Sequence, residues 1–327
     1  MKKFFNMILA VSVVLSSVSL PAIANNVELS AGNEIHISSV QDLTKMASDI
    51  QADTQGGAGK VYVLDNDISL ENKSWSANIG VKDKPFCGTF DGQGHVIKDY
   101  SLAMSDELSY GLFGVVSGDA VIKNVGIENV SATASTWTNA IGGLAGELNG
   151  NATVESCYAK SVKIDATTTY GYAKRGGGLI GLVDGSGVNV KNCYSVDCGM
   201  DDSMVDEDGG VIGGVHSVNE ILNCYADTLL TRCKEESLKD KVINSYYTES
   251  PHWPSENYAG TRISKSQLRA KASDLGEAYT DDSADVNGGY PILLWQKDSR
   301  TEAGDAVIVS SSLQDASDVD LIGTESE

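Results

Sequence analysis

The sequence predicts an all-β fold, a right-handed parallel β-helix with an N-terminal capping helix and a C-terminal helix-plus-strand cap. Three observations predict it. A Gly-Leu-x-Gly block recurs as Gly111-Leu112-Phe113-Gly114, Gly143-Leu144-Ala145-Gly146, Gly178-Leu179-Ile180-Gly181 and Gly210-Val211-Ile212-Gly213. An Asn or Ser follows the last glycine of each block by 10, 10, 11 and 10 residues, while the repeat interval wanders from 31 to 36. From 86 to 248 the chain is short β-like runs punctuated by glycine, with almost no helical periodicity. A unit of this size cannot bury its apolar side alone, and it does so by stacking on its neighbours.

The elements follow in chain order. Residues 1–24 read as a secretory signal peptide, with Lys2 and Lys3, an apolar run from Phe4 to Leu20, and Ala22-Ile23-Ala24 before a cleavage site near Ala24-Asn25. The run is short for a bilayer span and is broken by Ser12, Ser16, Ser17 and Ser19. No membrane span is expected in the mature chain, which is read as secreted, either extracellular or periplasmic. Residues 25–85 form an N-terminal cap. Within it 39–51 is an amphipathic helix, opened by Ser39 and Asp42 as a capping box, with Val40, Leu43, Met46, Ala47 and Ile50 on one face.

Residues 86–248 are the coils. The paired glycines that open the blocks allow sharp turns and close coil-to-coil approach, and Leu112, Leu144, Leu179 and Val211 point inward. Asn124, Ser156, Asn192, Asn223 and Asn244 form a column in which side-chain amides bond from coil to coil at a bend. The next column holds Val125, Cys157, Cys193, Cys224 and Ser245, so its cysteines are read as stacked free thiols. Cys87, Cys198 and Cys233 lie outside it, and a disulfide among them stays open. Tyr158, Tyr194, Tyr225 and Tyr246 make a further column whose facing, core or solvent, the sequence leaves undecided. Residues 249–298 form the C-terminal cap, with a short helix around Leu268 to Leu275 and a strand from Gly289 to Trp295. Residues 299–327 are an acidic tail expected to be disordered.

These residues resemble the GLUG-repeat family, exported bacterial β-helices named for their Gly-Leu-x-Gly block, whose repeats also occur beside immunoglobulin A peptidase domains. The opening PFCGTFDGQGHVI, the blocks GGLAG and GGLIG, the strands SCYA, NCYS and NCYA, and the closing NGGYPILLWQ carry the resemblance. It implies the fold, and a surface or secreted module without assigned chemistry.

Charge and motifs narrow the function. The formal charge of −21 becomes about −23 once Lys2 and Lys3 are removed, which repels phosphate backbones and excludes nucleic acid as a partner. His36, His95, His216 and His252 stand singly, so no H-E-x-x-H zinc site exists. No serine elbow is present, since Gly185-Ser186-Gly187 reads as a turn. Asp281, Ser283, Asp285 and Asn287 alternate like a calcium loop but lack its glycine and closing Glu, and read as a surface turn.

The reading is a secreted or surface-associated binding or adhesion module for a glycan or host surface protein. Trp137, Tyr170, Tyr172, Trp253 and Tyr258 are the candidate contacts, no residue is assigned as catalytic, and no cofactor is required. The alternative is a calcium-dependent polysaccharide lyase or a glycoside hydrolase. Asp201, Asp202, Asp206 and Asp208, with Glu207, would supply metal ligands, and Lys174 or Arg175 one coil earlier a base. A structural envelope component is the third possibility. The sequence does not specify an oligomeric state.

Overall fold

The computed structural model describes residues 34–102, 109–133, 137–165, 172–200, 205–249 and 257–297. The signal segment, the acidic tail, Tyr170, Asp201, Asp202, His252 and Trp253 lie outside them. The described chain is a parallel β-solenoid in which successive turns of the chain pair strand on strand.

A first ladder runs through Glu34–Ile37, Val61–Leu64, Thr89–Leu102, Val121–Thr133, Thr153–Glu155, Asn189–Lys191, Glu220–Leu222 and Val242–Ile243, all parallel. A second ladder leaves the far halves of the two long strands. It continues through Tyr158–Asp165, Tyr194–Val196, Tyr225–Ala226, Tyr246–Tyr247 and Thr261–Arg262. The third contains Ser109–Tyr110, Trp137–Gly142, Tyr172–Gly177 and Val205–Gly209. The fourth contains Phe113–Val116, Ala145–Leu148, Ile180–Asp184, Ile212–Ser217 and Thr231–Arg232. The glycine blocks join the third ladder to the fourth. There a Cβ on Gly142 or Gly177 would lie 2.2 or 1.8 Å from a backbone carbonyl oxygen, so only glycine fits.

The bend between the first and second ladders explains the Asn column in a way the sequence did not. Asn124, Ser156, Asn192, Asn223 and Asn244 all sit in the left-handed region, with φ between 47° and 55°. Asn tolerates that conformation better than most residues, because its short amide bonds locally. The side chains also climb the stack. Asn223 Nδ2 donates to Asn192 Oδ1 at 3.1 Å, and Asn244 Nδ2 to Asn223 Oδ1 at 2.8 Å. Asn124 instead donates to Asp91 Oδ1 at 3.1 Å.

Inside the bend, Val125, Cys157, Cys193 and Cys224 are fully buried, and all six cysteines are unpaired. Burial pushes the Cys193 and Cys224 thiols far up, and the Cys198 thiol to about 12. Such thiols are poor nucleophiles. The core column of the first ladder, including Phe90, Ile122, Val154, Val190 and Ile221, is sealed from solvent.

Helix α1, Val40–Ala52, closes the first coil by burying Leu43, Met46, Ala47 and Ile50 in the core. Ser39 caps it, accepting from Asp42 N, while Asp42 accepts from Ser38 N and the Ser39 hydroxyl. At the other end, α2 (Glu236–Lys239) precedes the last rung of the first ladder. Thr261–Arg262 adds a rung to the second ladder, and Tyr258–Ala259 pairs antiparallel with Thr231–Arg232 on the fourth.

The chain then turns back along the outside of the second ladder. Helices α3 (Lys265–Arg269) and α4 (Ala272–Leu275) and the short strands Tyr279–Thr280 and Ile292–Leu293 form this strap. Beneath it Tyr158, Tyr194 and Tyr225 stack with centroids 5.0 and 4.9 Å apart and planes within 5°. The strap covers them with Leu268, Leu275, Tyr279, Tyr290 and Leu293. The tyrosine column thus faces neither the coil interior nor solvent.

Candidate functional site

The outer faces of the third and fourth ladders meet at an inner angle, and a chain of polar side chains fills it. Glu207, on the third ladder, is a register partner of Arg175 and accepts from Arg175 Nε at 3.1 Å. Its Oε1 lies 3.0 Å from Lys234 Nζ, and its Oε2 lies 3.2 Å from His216 Nε2 of the fourth ladder. Arg175 also donates to Asn139 Oδ1 at 2.9 Å and lies 3.2 Å from His216 Nε2. Asn139 Nδ2 then donates to Ser109 Oγ at 3.1 Å and to Glu147 Oε2 at 3.0 Å. Glu147 further accepts from Ser109 Oγ at 2.8 Å and Asn149 Nδ2 at 2.9 Å. One connected path therefore crosses the coils from Lys234 to Asn149.

A glycine makes room for it. A Cβ on Gly214 would lie 2.2 Å from Glu207 Oε2 and 3.1 Å from Arg175 Cγ, so Gly214 leaves the space the ion pair occupies. Val115, Glu147 and Leu182 hold the same register position on the preceding coils. Of these four positions Gly214 has no side chain, and there the Glu207 carboxylate lies against the fourth ladder. Burial, the largest single influence, would raise the Glu207 pKa, but Lys234, His216 and Arg175 together outweigh it and hold the carboxyl below its ordinary value.

The residues chosen from sequence scatter around this corner. Trp137 and Tyr172 begin neighbouring strands of the third ladder and are register partners, two and three residues before Asn139 and Arg175. Tyr258 is 5% exposed and belongs to the core, with its hydroxyl 3.4 Å from Asp208 Oδ1, so it presents no surface ring. Of the carboxylates proposed for calcium, Asp201 and Asp202 lie outside the described residues; Asp206 is exposed, Asp208 is buried, and Glu207 between them is tied to three basic groups. Among the described residues no three His, Cys, Asp or Glu side chains are grouped to hold a metal. Lys174 is exposed, whereas Arg175 does meet Glu207, on paired strands rather than on loops. Asp282 organises the turn before the closing strand, accepting from the backbone of Val286, Asn287 and Gly289.

Sequence reading passed over Ser109, Asn139, Glu147 and Lys234. Each stands alone in the chain, and nothing in its local pattern marks it. The one available signal was that Ser109, Asn139, Arg175 and Glu207 each precede a glycine block by a few residues.

The fold and this corner define the class, a parallel β-solenoid with a polar angle between two of its ladders. No family model matches the chain. Over 120 residues it is 32% identical to halomucin of Haloquadratum walsbyi, a match that covers 37% of this chain and 1% of halomucin. A crystal structure of a Bacteroides ovatus protein, provisionally described as an immunoglobulin A1 protease, aligns with a TM-score of 0.52 at 19% identity. That alignment covers 81% of this chain and 94% of the other, and shows a shared fold. Among the described residues no helix is long and apolar enough to cross a membrane.

Proposed function

We propose that the protein is an exported, surface-associated binding module that recognises a glycan or a host surface protein along the polar corner. The observation that carries this reading is that the corner's ionisable side chains are committed to one another. A glycoside hydrolase needs a carboxyl group that keeps its proton until it donates. Glu207 is held in the ionised form, and Glu147 accepts from three donors. A lyase needs a base free to take a proton, but Arg175 is occupied by Glu207, Asn139 and His216. Held rigidly, the same groups form a preorganised row of donors and acceptors, which favours recognition by lowering the entropy lost on binding.

The register partners Trp137 and Tyr172 begin the strands that carry Asn139 and Arg175. The likeness to halomucin over part of the chain, and the Gly-Leu-x-Gly resemblance to exported GLUG-repeat proteins, point the same way. A glycan array and a mucin panel test the reading. Selective binding, lost on Asn139→Ala, is expected. Binding no better than that of an unrelated acidic protein overturns it, as does release of ultraviolet-absorbing unsaturated products from an acidic polysaccharide.

A further inference from the structure

The first ladder starts at Glu34–Ile37 and ends at Val242–Ile243, and among the described residues neither terminal strand has a partner on its far side. Following the register from rung to rung places Ile35 and Val242 at the two ends of one column, the column of Phe90, Ile122 and Val154. Those inner residues are 0% exposed. Ile35 is 39% exposed and Val242 is only partly buried, because each lacks the rung that would cover it.

Backbone direction agrees at both ends. In the column that begins with Glu34, N–H groups point back to the preceding rung: Thr89 donates to Lys60 O, Val121 to Gly88 O and Thr153 to Ala120 O. Glu34 and His36 therefore turn their backbone groups outward, while Ile37 O accepts from Asp65 N on the inner side. At the last rung Lys241 O and Ile243 O accept from Ile221 N and Asn223 N, which leaves Val242 facing outward. These are complementary edges in one register.

Charge matches as well. The register that pairs Ile221 with Val242 puts Lys241 beside Glu220, in the column of Glu34. Glu34 and Lys241 are exposed, and neither has a salt-bridge partner among the described residues. Within the chain the ladder already joins register partners of opposite charge, Asp91 and Lys123, at 3.1 Å.

We infer that a second copy of this chain docks head to tail, its Glu34–Ile37 strand becoming the rung after Val242–Ile243. Glu34 of the incoming copy then pairs with Lys241, and its Ile35 covers Val242. Two different surfaces meet in this contact, so it does not close on itself, and it builds open strings rather than a fixed dimer. The rung is short, so association is weak and concentration-dependent. A string of copies would display many binding corners and gain avidity from them.

Sedimentation velocity of the full chain at about 0.15 M salt, where long-range self-repulsion is screened, tests the contact. The mean mass is expected to rise with concentration without stopping at two copies. Glu34→Lys and Lys241→Glu should each weaken association by about tenfold. The double reversal, which restores opposite charges, should recover it, a result that misfolding cannot produce. Ile35→Ser should also weaken association without changing the circular dichroism of the dilute protein. One species of single-chain mass at all concentrations overturns the inference. So does a plateau at the dimer, or a double reversal that fails to rescue.

Discussion

Two outer surfaces of the same solenoid are finished in opposite ways. On the second ladder the repeated position is Tyr158, Tyr194 and Tyr225, and the chain returns to cover it with the strap. In the angle between the third and fourth ladders the register position changes from coil to coil, Ser109, Ala140, Arg175 and Glu207, and its polar members join, through Asn139 beside Ala140, into one hydrogen-bonded path in which Ser109 and Glu207 are buried and Arg175 is partly exposed. A position that repeats faithfully offers a uniform face, which suits a permanent apolar cover. One that varies offers a pattern, which suits recognition of something else. The contrast teaches that in this fold the coil core is a shared scaffold, and that what lies outside each wall decides its role.

The comparison can be broken at its most charged point. Replacing Glu207 by Ala leaves Arg175, Lys234 and His216 facing one another at a site where the glutamate was 8% exposed. The expected loss is about 2 kcal/mol in urea unfolding, because Arg175, 17% exposed, loses its charged hydrogen-bond partner while Lys234 and His216 remain open to solvent. The pH dependence has a definite sign. The folded pKa of Glu207 is lowered, so its contribution is complete above the ordinary value of 4.5 and is lost as pH falls below that toward the folded value. The Glu207→Ala protein should therefore show a flatter fall in stability between neutral and acid pH than the parent.

The sealed wall is tested next. Trp295 stacks on Tyr158 at 5.7 Å and donates from Nε1 to Ser156 O at 3.1 Å. Trp295→Ala should cost about 2 kcal/mol through lost aromatic contact and one hydrogen bond, and limited proteolysis should then cut the strap before the coils. If the coils are cut first, the strap is integral to the solenoid rather than laid upon it.

Smaller effects sharpen the comparison. Asn192→Ala should cost about 1–2 kcal/mol, since alanine gains nothing from the left-handed conformation and Asn223 loses its acceptor. Asn192→Gly should cost less, and thermal denaturation of the pair separates backbone strain from the side-chain ladder. Last, Tyr194→Phe removes the hydroxyl bond to Gln296 Oε1 beneath the strap, for an expected loss of about 1 kcal/mol.

Much of the scaffold was legible because its signal is periodic. The glycine blocks, the Asn column and the buried Cys column fall thirty-odd residues apart in the chain and on adjacent rungs in space. Helix α1 was legible because its cap and its apolar face are local. The corner was not. Glu207 and Gly214 belong to different ladders, and Asn139 and Arg175 lie on paired strands but one residue out of register, so no local pattern announces them. Tyr258 misled for the same reason, since an aromatic after a loop reads alike whether it is covered or not.

The sequence by itself determined that turns of chain stack in register, that the leucine and cysteine columns face the core, and where the backbone must bend, because each of these follows from a repeated local preference. Only the tertiary structure decided that the closing segment runs back along the tyrosines, that Glu207 meets Arg175, Lys234 and His216, and that among the described residues both ends of the first ladder lack a further rung. Those facts depend on which surfaces meet once the coil is built. They are set by distances between residues far apart in the chain, a quantity that no single stretch of sequence contains.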